Sequence, residues 1–181
     1  MLARAVGDIG VSTFSILSFI YSLANAILSG TAQGLQPLWG NSFGRQNTNE
    51  MRFLLKCGLV INLVLSICVY ILLSVFDREI ISIFNRDTEL VETASLALPL
   101  FCLSFIPMAL NLIFTAFMFS TKRTGEATAI AVSRGILIKA VAIFLLPALL
   151  GIDGIWLAPF AAELMTLLFA VYIFVKIFQK V

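Results

Sequence analysis

Apolar residues run along this chain in five long stretches, and the polar residues between them gather in short clusters. A bilayer core about 30 Å thick is crossed by about 20 helical residues. The pattern therefore predicts five spanning helices, over about residues 9–38, 51–76, 93–120, 131–150 and 155–178. In FDREIISIFNRDTELVE (residues 76–92), Ile80, Ile81, Ile83 and Phe84 stand among charges. That mixture predicts a short amphipathic helix in the membrane interface, over about residues 78–85. Loops are expected at NSFGRQNTNE (residues 41–50), TKRTGEAT (121–128) and GIDG (151–154). The last is tight enough to make the fourth and fifth spans antiparallel neighbours. The first run is too long for a secretory signal and lacks a cleavage site, so it counts as a helix.

Two of the five spans carry polar seams. In the first, Ser15, Ser18, Ser22, Asn25, Ser29, Ala32 and Gln36 recur at steps of three and four, with Gln33 beside them, which places them on one face. The serines suit either close packing, which Gly30/Gly34 and Gly40/Gly44 would also serve, or the wall of a water-filled path. Asn25, Gln33 and Gln36 favour the path, because packing alone has no use for their amides. Pro37 cannot donate to the carbonyl of Gln33 and should weaken the helix there. A freed carbonyl at membrane depth persists only where it is buried in protein or meets water. In the third span, Pro99 and Pro107 are expected to bend the helix twice, freeing the carbonyls of Ser95 and Leu103. Ser104, Met108, Asn111 and Thr115 share one face there, which suits a cavity lining, with plain bundle packing as the alternative.

Composition settles the class. The chain of 181 residues is 60% hydrophobic and 12% charged, with a mean hydropathy of +1.03. Soluble domains are about 25% charged, so this is an all-α integral membrane protein. A transmembrane barrel would show short alternating strands instead. There is no histidine, and Cys57, Cys68 and Cys102 sit singly in apolar runs. No metal site, disulfide framework, nucleophile–base constellation or cofactor is suggested, and an enzyme is not expected. Membrane lipids are implied as neighbours, and no nucleic-acid partner is expected.

Charge placement fixes an expected orientation. Arg45, Arg52, Lys56, Lys122, Arg123, Lys176 and Lys180 fall on one side. Arg4, Arg78 and Arg86 fall on the other, among Asp8, Asp77, Glu79, Asp87, Glu89, Glu92 and Asp153. The first side is then cytoplasmic, with the C-terminus inside and the N-terminus outside. Five spans with an external start lead to the expectation that an amino-terminal helix, and further sequence, is missing. Lys139 and Glu163 lie about 13 and 11 residues from the middle of the 151–154 turn, at similar depth on adjacent helices. A lone charge there costs on the order of 3 kcal/mol. They are expected to pair, or to face one aqueous cleft, so that Lys139→Gln should offset part of the damage of Glu163→Gln.

The stretch GTAQGLQPLWGNSFG (residues 30–44) resembles a pattern of the multidrug and toxic compound extrusion (MATE) transporters: glycine, small residue, Gln-Gly-x-Gln-Pro, then glycine before a cytoplasmic loop. GIDGIWLAPFAAE (residues 151–163) is similar to that family's Gly-x-x-Gly-(Ile/Val)-Trp turn, followed by proline and an acidic residue in the last helix. Arg134 matches a basic residue common early in the penultimate helix. The resemblance covers nearly the whole chain and implies five helices of the carboxy-terminal six-helix half of a twelve-helix transporter. It implies a multi-pass protein of the cytoplasmic membrane, exporting amphipathic or cationic small molecules by alternating access in exchange for H+ or Na+.

Asn25, Gln33, Gln36, Pro37, Met108 and Asn111 would then line the substrate path. The acid implicated in coupling belongs to the other half, and the third span lacks the acid that another branch uses for sodium. A proton-coupled mode follows from the resemblance, with the amino-terminal half as the missing partner. Two alternatives stand beside it. One is a lipid-linked oligosaccharide flippase of the same superfamily, which would want more basic residues than Lys139 and Arg134. The other is a non-transporting, truncated membrane protein.

Overall fold

The computed structural model describes residues 2–178, of which residues 2–6 and 177–178 are described by backbone alone. Lys180, counted above among the charges of one side, and the side chain of Arg4 lie outside that description. Helix α1 runs Leu2–Gly44 and is kinked at Gly7, whose φ of 64° only glycine adopts freely. Pro37 does not break it. The helix continues through the lost hydrogen bond because Trp39, just beyond, is fully buried and pins the last turns.

The expected loop at residues 41–50 shrinks to the turn between Gly44 and Thr48, with Gln46 in the left-handed region. Asn47 starts α2 (Thr48–Val75): its side-chain oxygen accepts from Glu50 N, and its amide donates to the Glu50 carboxylate, both at 3.1 Å. The short amphipathic helix is α3 (Asp77–Phe84), with Ile81 buried and Ile83 81% exposed.

The third span is not one helix bent twice but two, α4 (Thr88–Cys102) and α5 (Phe105–Ser120), broken once at Leu103–Ser104. Pro99 sits inside α4. Pro107 falls in the first turn of α5, where a missing N–H costs little. The Leu103 carbonyl receives Ile106 N at 3.4 Å instead. The fourth span is α6 (Thr124–Val132), a π-helical turn (Ser133–Leu137) and α7 (Ile138–Leu150) in continuous succession. Gly151, at φ 64°, makes the connection to α8 (Ile152–Phe178). A side chain at Gly154 would collide with the backbone of Leu146, so the last two spans close far more tightly than a four-residue turn requires.

Among the described residues, five helices are long and apolar enough to cross a membrane: Gly7–Gly44, Thr48–Val75, Thr88–Ser120, Thr124–Leu150 and Ile152–Lys176. The architecture is an all-α membrane bundle. Its centre is the third span: 61% of the residues in its most apolar stretch are buried, against at most 28% in the corresponding stretch of any other span. Phe101, Phe105 and Met108 pack with Leu17, Ile20 and Ala24 of α1 and with Trp156 of α8. Toward the other end, Trp39 meets Phe117 edge-on at 5.6 Å beside Leu55 and Ile113. Buried Asn62 of α2 donates to Ala109 O of α5 at 2.9 Å and accepts from Thr31 of α1, fastening three spans at one level.

Candidate functional site

The polar centre of the bundle forms around Glu163 on α8, a fully buried carboxylate. Nε of Arg134 donates to both of its oxygens at 2.9 Å. The Tyr21 hydroxyl donates to Oε1 at 2.8 Å, and Asn111 Nδ2 donates to Oε2 at 2.9 Å. Asn111 Nδ2 also lies 2.9 Å from the backbone carbonyl of Glu163. Burying a lone carboxylate costs several kcal/mol, and pairing with saturating donors is what offsets it. The cluster draws on four spans: Tyr21 from α1, Asn111 from α5, Arg134 from the π-turn and Glu163 from α8.

The expected Lys139–Glu163 pair is therefore corrected to Arg134–Glu163. Depth alone does not separate the two cations; the local helix type does. Residues five apart in an α-helix point about 140° apart. In the π-turn, Ile138 N donates to Ser133 O, five residues back, which brings Arg134 and Lys139 toward one side. The arginine, with its planar fork, takes the carboxylate. Lys139 reaches the same cluster indirectly: Nζ lies 3.4 Å from the Tyr21 hydroxyl and 4.8 Å from the centre of its ring.

Two cavities flank this cluster where α1 stands away from the fourth span. One, of about 210 Å3, is walled chiefly by Phe14, Phe101, Ile143 and Pro159, with Ser18 and Ser22. The other, of about 260 Å3, is lined by Asn25, Thr115, Arg134 and Gly135. Tyr21 and Lys139 belong to both walls.

The structure sorts the residues singled out by sequence. Asn25 is half-buried, lines the second cavity, and accepts from Arg134 Nη2 at 3.4 Å. Gln33 and Pro37 lie exposed on the open face of α1, and Gln36 is half-buried at its edge. Met108 and Asn111 are corrections: both are fully buried, and neither lines either cavity beside the cluster. The third span is the core of the bundle, so most of its polar stripe turns inward: Met108 packs in the core and Asn111 holds Glu163, while Thr115 at the end of the stripe reaches the second cavity. Tyr21 escapes the periodicity because an aromatic on the inner edge of α1 reads as packing. The sequence signal for it was an interior Arg134 that, like Lys139, needed a buried partner.

The MatE family profile matches residues 1–145. The multidrug export protein MepA of Staphylococcus haemolyticus (strain JCSC1435) is 24% identical over 92% of this chain. Its counterpart in Staphylococcus aureus (strain MRSA252) is 23% identical over the same share. The chain spans 36% and 37% of the length of those two relatives. Among solved structures, an outward-facing multidrug resistance MATE family transporter of the MOP superfamily superposes with a TM-score of 0.88 at 14% identity. That match covers 99% of this chain and 42% of the other. An inward-facing one gives 0.85 at 15% identity, covering 93% and 40%. At these identities the structural likeness speaks for the fold.

Proposed function

The chain belongs to the MatE family, and on that premise we propose that it forms part of the carboxy-terminal half of a secondary active multidrug efflux transporter. Cation/drug antiport by alternating access, with H+ or Na+ as the driving ion, is the mechanism we infer. The observation that carries the reading is the open face of α1. Gln33 and Pro37 lie exposed there, and neither Gln33 nor Gln36 makes a side-chain hydrogen bond among the described residues. Amides at membrane depth are retained where they meet water, ligand or another polar surface rather than lipid. Asn25, Gln33, Gln36 and Pro37 are then path residues for amphipathic or cationic substrates, with the remainder of the transporter supplying the facing wall. Charge placement supports a cytoplasmic C-terminus and an external N-terminus.

A lipid-linked oligosaccharide flippase ranks second. Of the two cations available to meet a pyrophosphate, Arg134 is already paired through its Nε with Glu163, which leaves Lys139 as the one without an acidic partner among the described residues. The test is efflux of ethidium-like dyes by the full-length transporter containing this chain, with lipid-linked oligosaccharide as competitor. Dye efflux that falls at least about tenfold in Gln33→Leu/Gln36→Leu, at unchanged expression, supports the reading. Efflux unaffected by the double substitution refutes the assigned path, and inhibition by the lipid-linked sugar favours the flippase.

A further inference from the structure

The carboxylate of Glu163 is saturated by Arg134, Tyr21 and Asn111. The ammonium of Lys139 is thereby left without an acidic partner within 4.0 Å among the described residues. An unbalanced ammonium inside a bundle is costly, and such a group is a ligand site before it is anything else. Its surroundings are unequal on the two sides. Toward Phe14, Phe101, Ile143 and Pro159 the cavity is oily; toward Asn25, Thr115 and Arg134 it is polar. Arg134 spends its Nε on Glu163, and its Nη2 reaches out to Asn25 Oδ1 at 3.4 Å on the polar side. Counting Arg134 and Lys139 against Glu163, the cluster carries one positive charge in excess.

We propose that this cleft between α1 and the fourth span binds an amphipathic anion. Its carboxylate or sulfonate head would sit between Lys139 and Nη2 of Arg134, with Asn25 able to donate beside them. Its hydrocarbon tail would run past the Tyr21 ring into the apolar cavity. An amphipathic cation would meet the same oily wall and a repelling head site. The site shares Asn25 with the proposed path, but its test concerns binding to this chain, and failed efflux leaves it standing.

The test uses the purified 181-residue chain in maltoside micelles, titrated calorimetrically with octanoate and, separately, with octyltrimethylammonium. Octanoate is expected to bind at least about tenfold more tightly than the cation, the scale of a hydrogen bond to a charged group. Lys139→Gln should abolish that preference, and Lys139→Arg should keep most of it. On the unsubstituted chain, octanoate should also slow acylation of Lys139 by a succinimidyl ester, read by peptide mass spectrometry, while leaving exposed Lys122 unaffected. Equal or tighter binding of the cation, an octanoate affinity unmoved by Lys139→Gln, or unprotected Lys139 would each overturn the proposal.

Discussion

Arg134 and Glu163 face each other across the seam between the fourth span and α8, the guanidinium Nε 2.9 Å from both carboxylate oxygens. The arginine side chain is 18% exposed and the glutamate 0%, so the pair is shielded rather than screened. Around it Tyr21 and Asn111 bring the first and third spans to the same carboxylate. The lock thus joins four of the five spans, and its loss should be felt as stability before it is felt as altered selectivity.

Breaking a buried pair on one side strands the other charge, which costs about 3–5 kcal/mol. Glu163→Gln and Arg134→Gln should each lower the thermal midpoint of the detergent-solubilised chain markedly. The double variant should be less damaged than the two effects added, by about 1–3 kcal/mol. Adding Lys139→Gln to Glu163→Gln should restore less than adding Arg134→Gln does, because the lysine touches the carboxylate only through Tyr21. Additive losses for Arg134 and Glu163, or a larger rescue by Lys139→Gln than by Arg134→Gln, would show that the carboxylate belongs to the lysine after all.

Asn62 makes a second, neutral lock. Its amide donates to Ala109 O, and its oxygen accepts from the Thr31 hydroxyl. Interhelical hydrogen bonds in membranes are worth about 0.6 kcal/mol on average and rarely exceed about 1.7, so Asn62→Ala should cost about 1–2 kcal/mol. Asn62→Asp should cost more, since it swaps the donor for an acceptor facing a carbonyl. A thermal series in which Asp is the milder substitution would contradict this geometry.

Much of the architecture was legible in the sequence because the physics is coarse: an apolar run long enough to cross oil has few choices. The breaks were less legible. Pro37 looks like a weak point, yet the burial of Trp39 carries α1 past it. Pro99 and Pro107 look alike, yet one lies within α4 and the other in the first turn of α5. The candidate site was legible at Glu163 and Lys139, whose charges stand out. It was illegible in their pairing, which turns on one π-turn that no residue pattern announces. Met108 and Asn111 show the limit of periodicity: a stripe at helical spacing names a face without saying whether that face looks inward or out.

Glycines give a graded test of the packing. A methyl group at Gly154 would run into the Leu146 backbone, which cannot yield, so Gly154→Ala should collapse expression or shift the midpoint strongly. At Gly58 the nearest atom is the mobile end of Leu35, with the buried Trp39 ring next at 3.3 Å, and Gly58→Ala should cost about 1–3 kcal/mol. Gly30 and Gly34 have open space before them, so their spacing does not serve packing within this chain. Gly30→Ala and Gly34→Ala should leave stability unchanged or raise it by up to about 1 kcal/mol through helix propensity. Strong destabilisation at either would mean that the open face is packed in the isolated chain.

The π-turn makes the sharpest prediction, because it is one residue longer than an α-turn needs. Deleting Ile136, which is 66% exposed, should let Ser133–Leu137 close as ordinary α-helix. Arg134 and Lys139 would then stand four residues apart, still on one face, and α7 beyond them would keep its orientation. Helical content should hold, and so should the coupling between Arg134 and Glu163. Deleting Val141 instead, beyond the π-turn and 52% exposed, would rotate the rest of α7 by about 100°. That rotation pulls Ala142 away from Ala158 and Ala162, against which it is packed, and the chain should lose its cooperative melt. Circular dichroism and thermal unfolding of the two deletions side by side decide it. If the Ile136 deletion proves as harmful as the Val141 deletion, the π-turn is not a spare residue, and the shared side of Arg134 and Lys139 needs another cause.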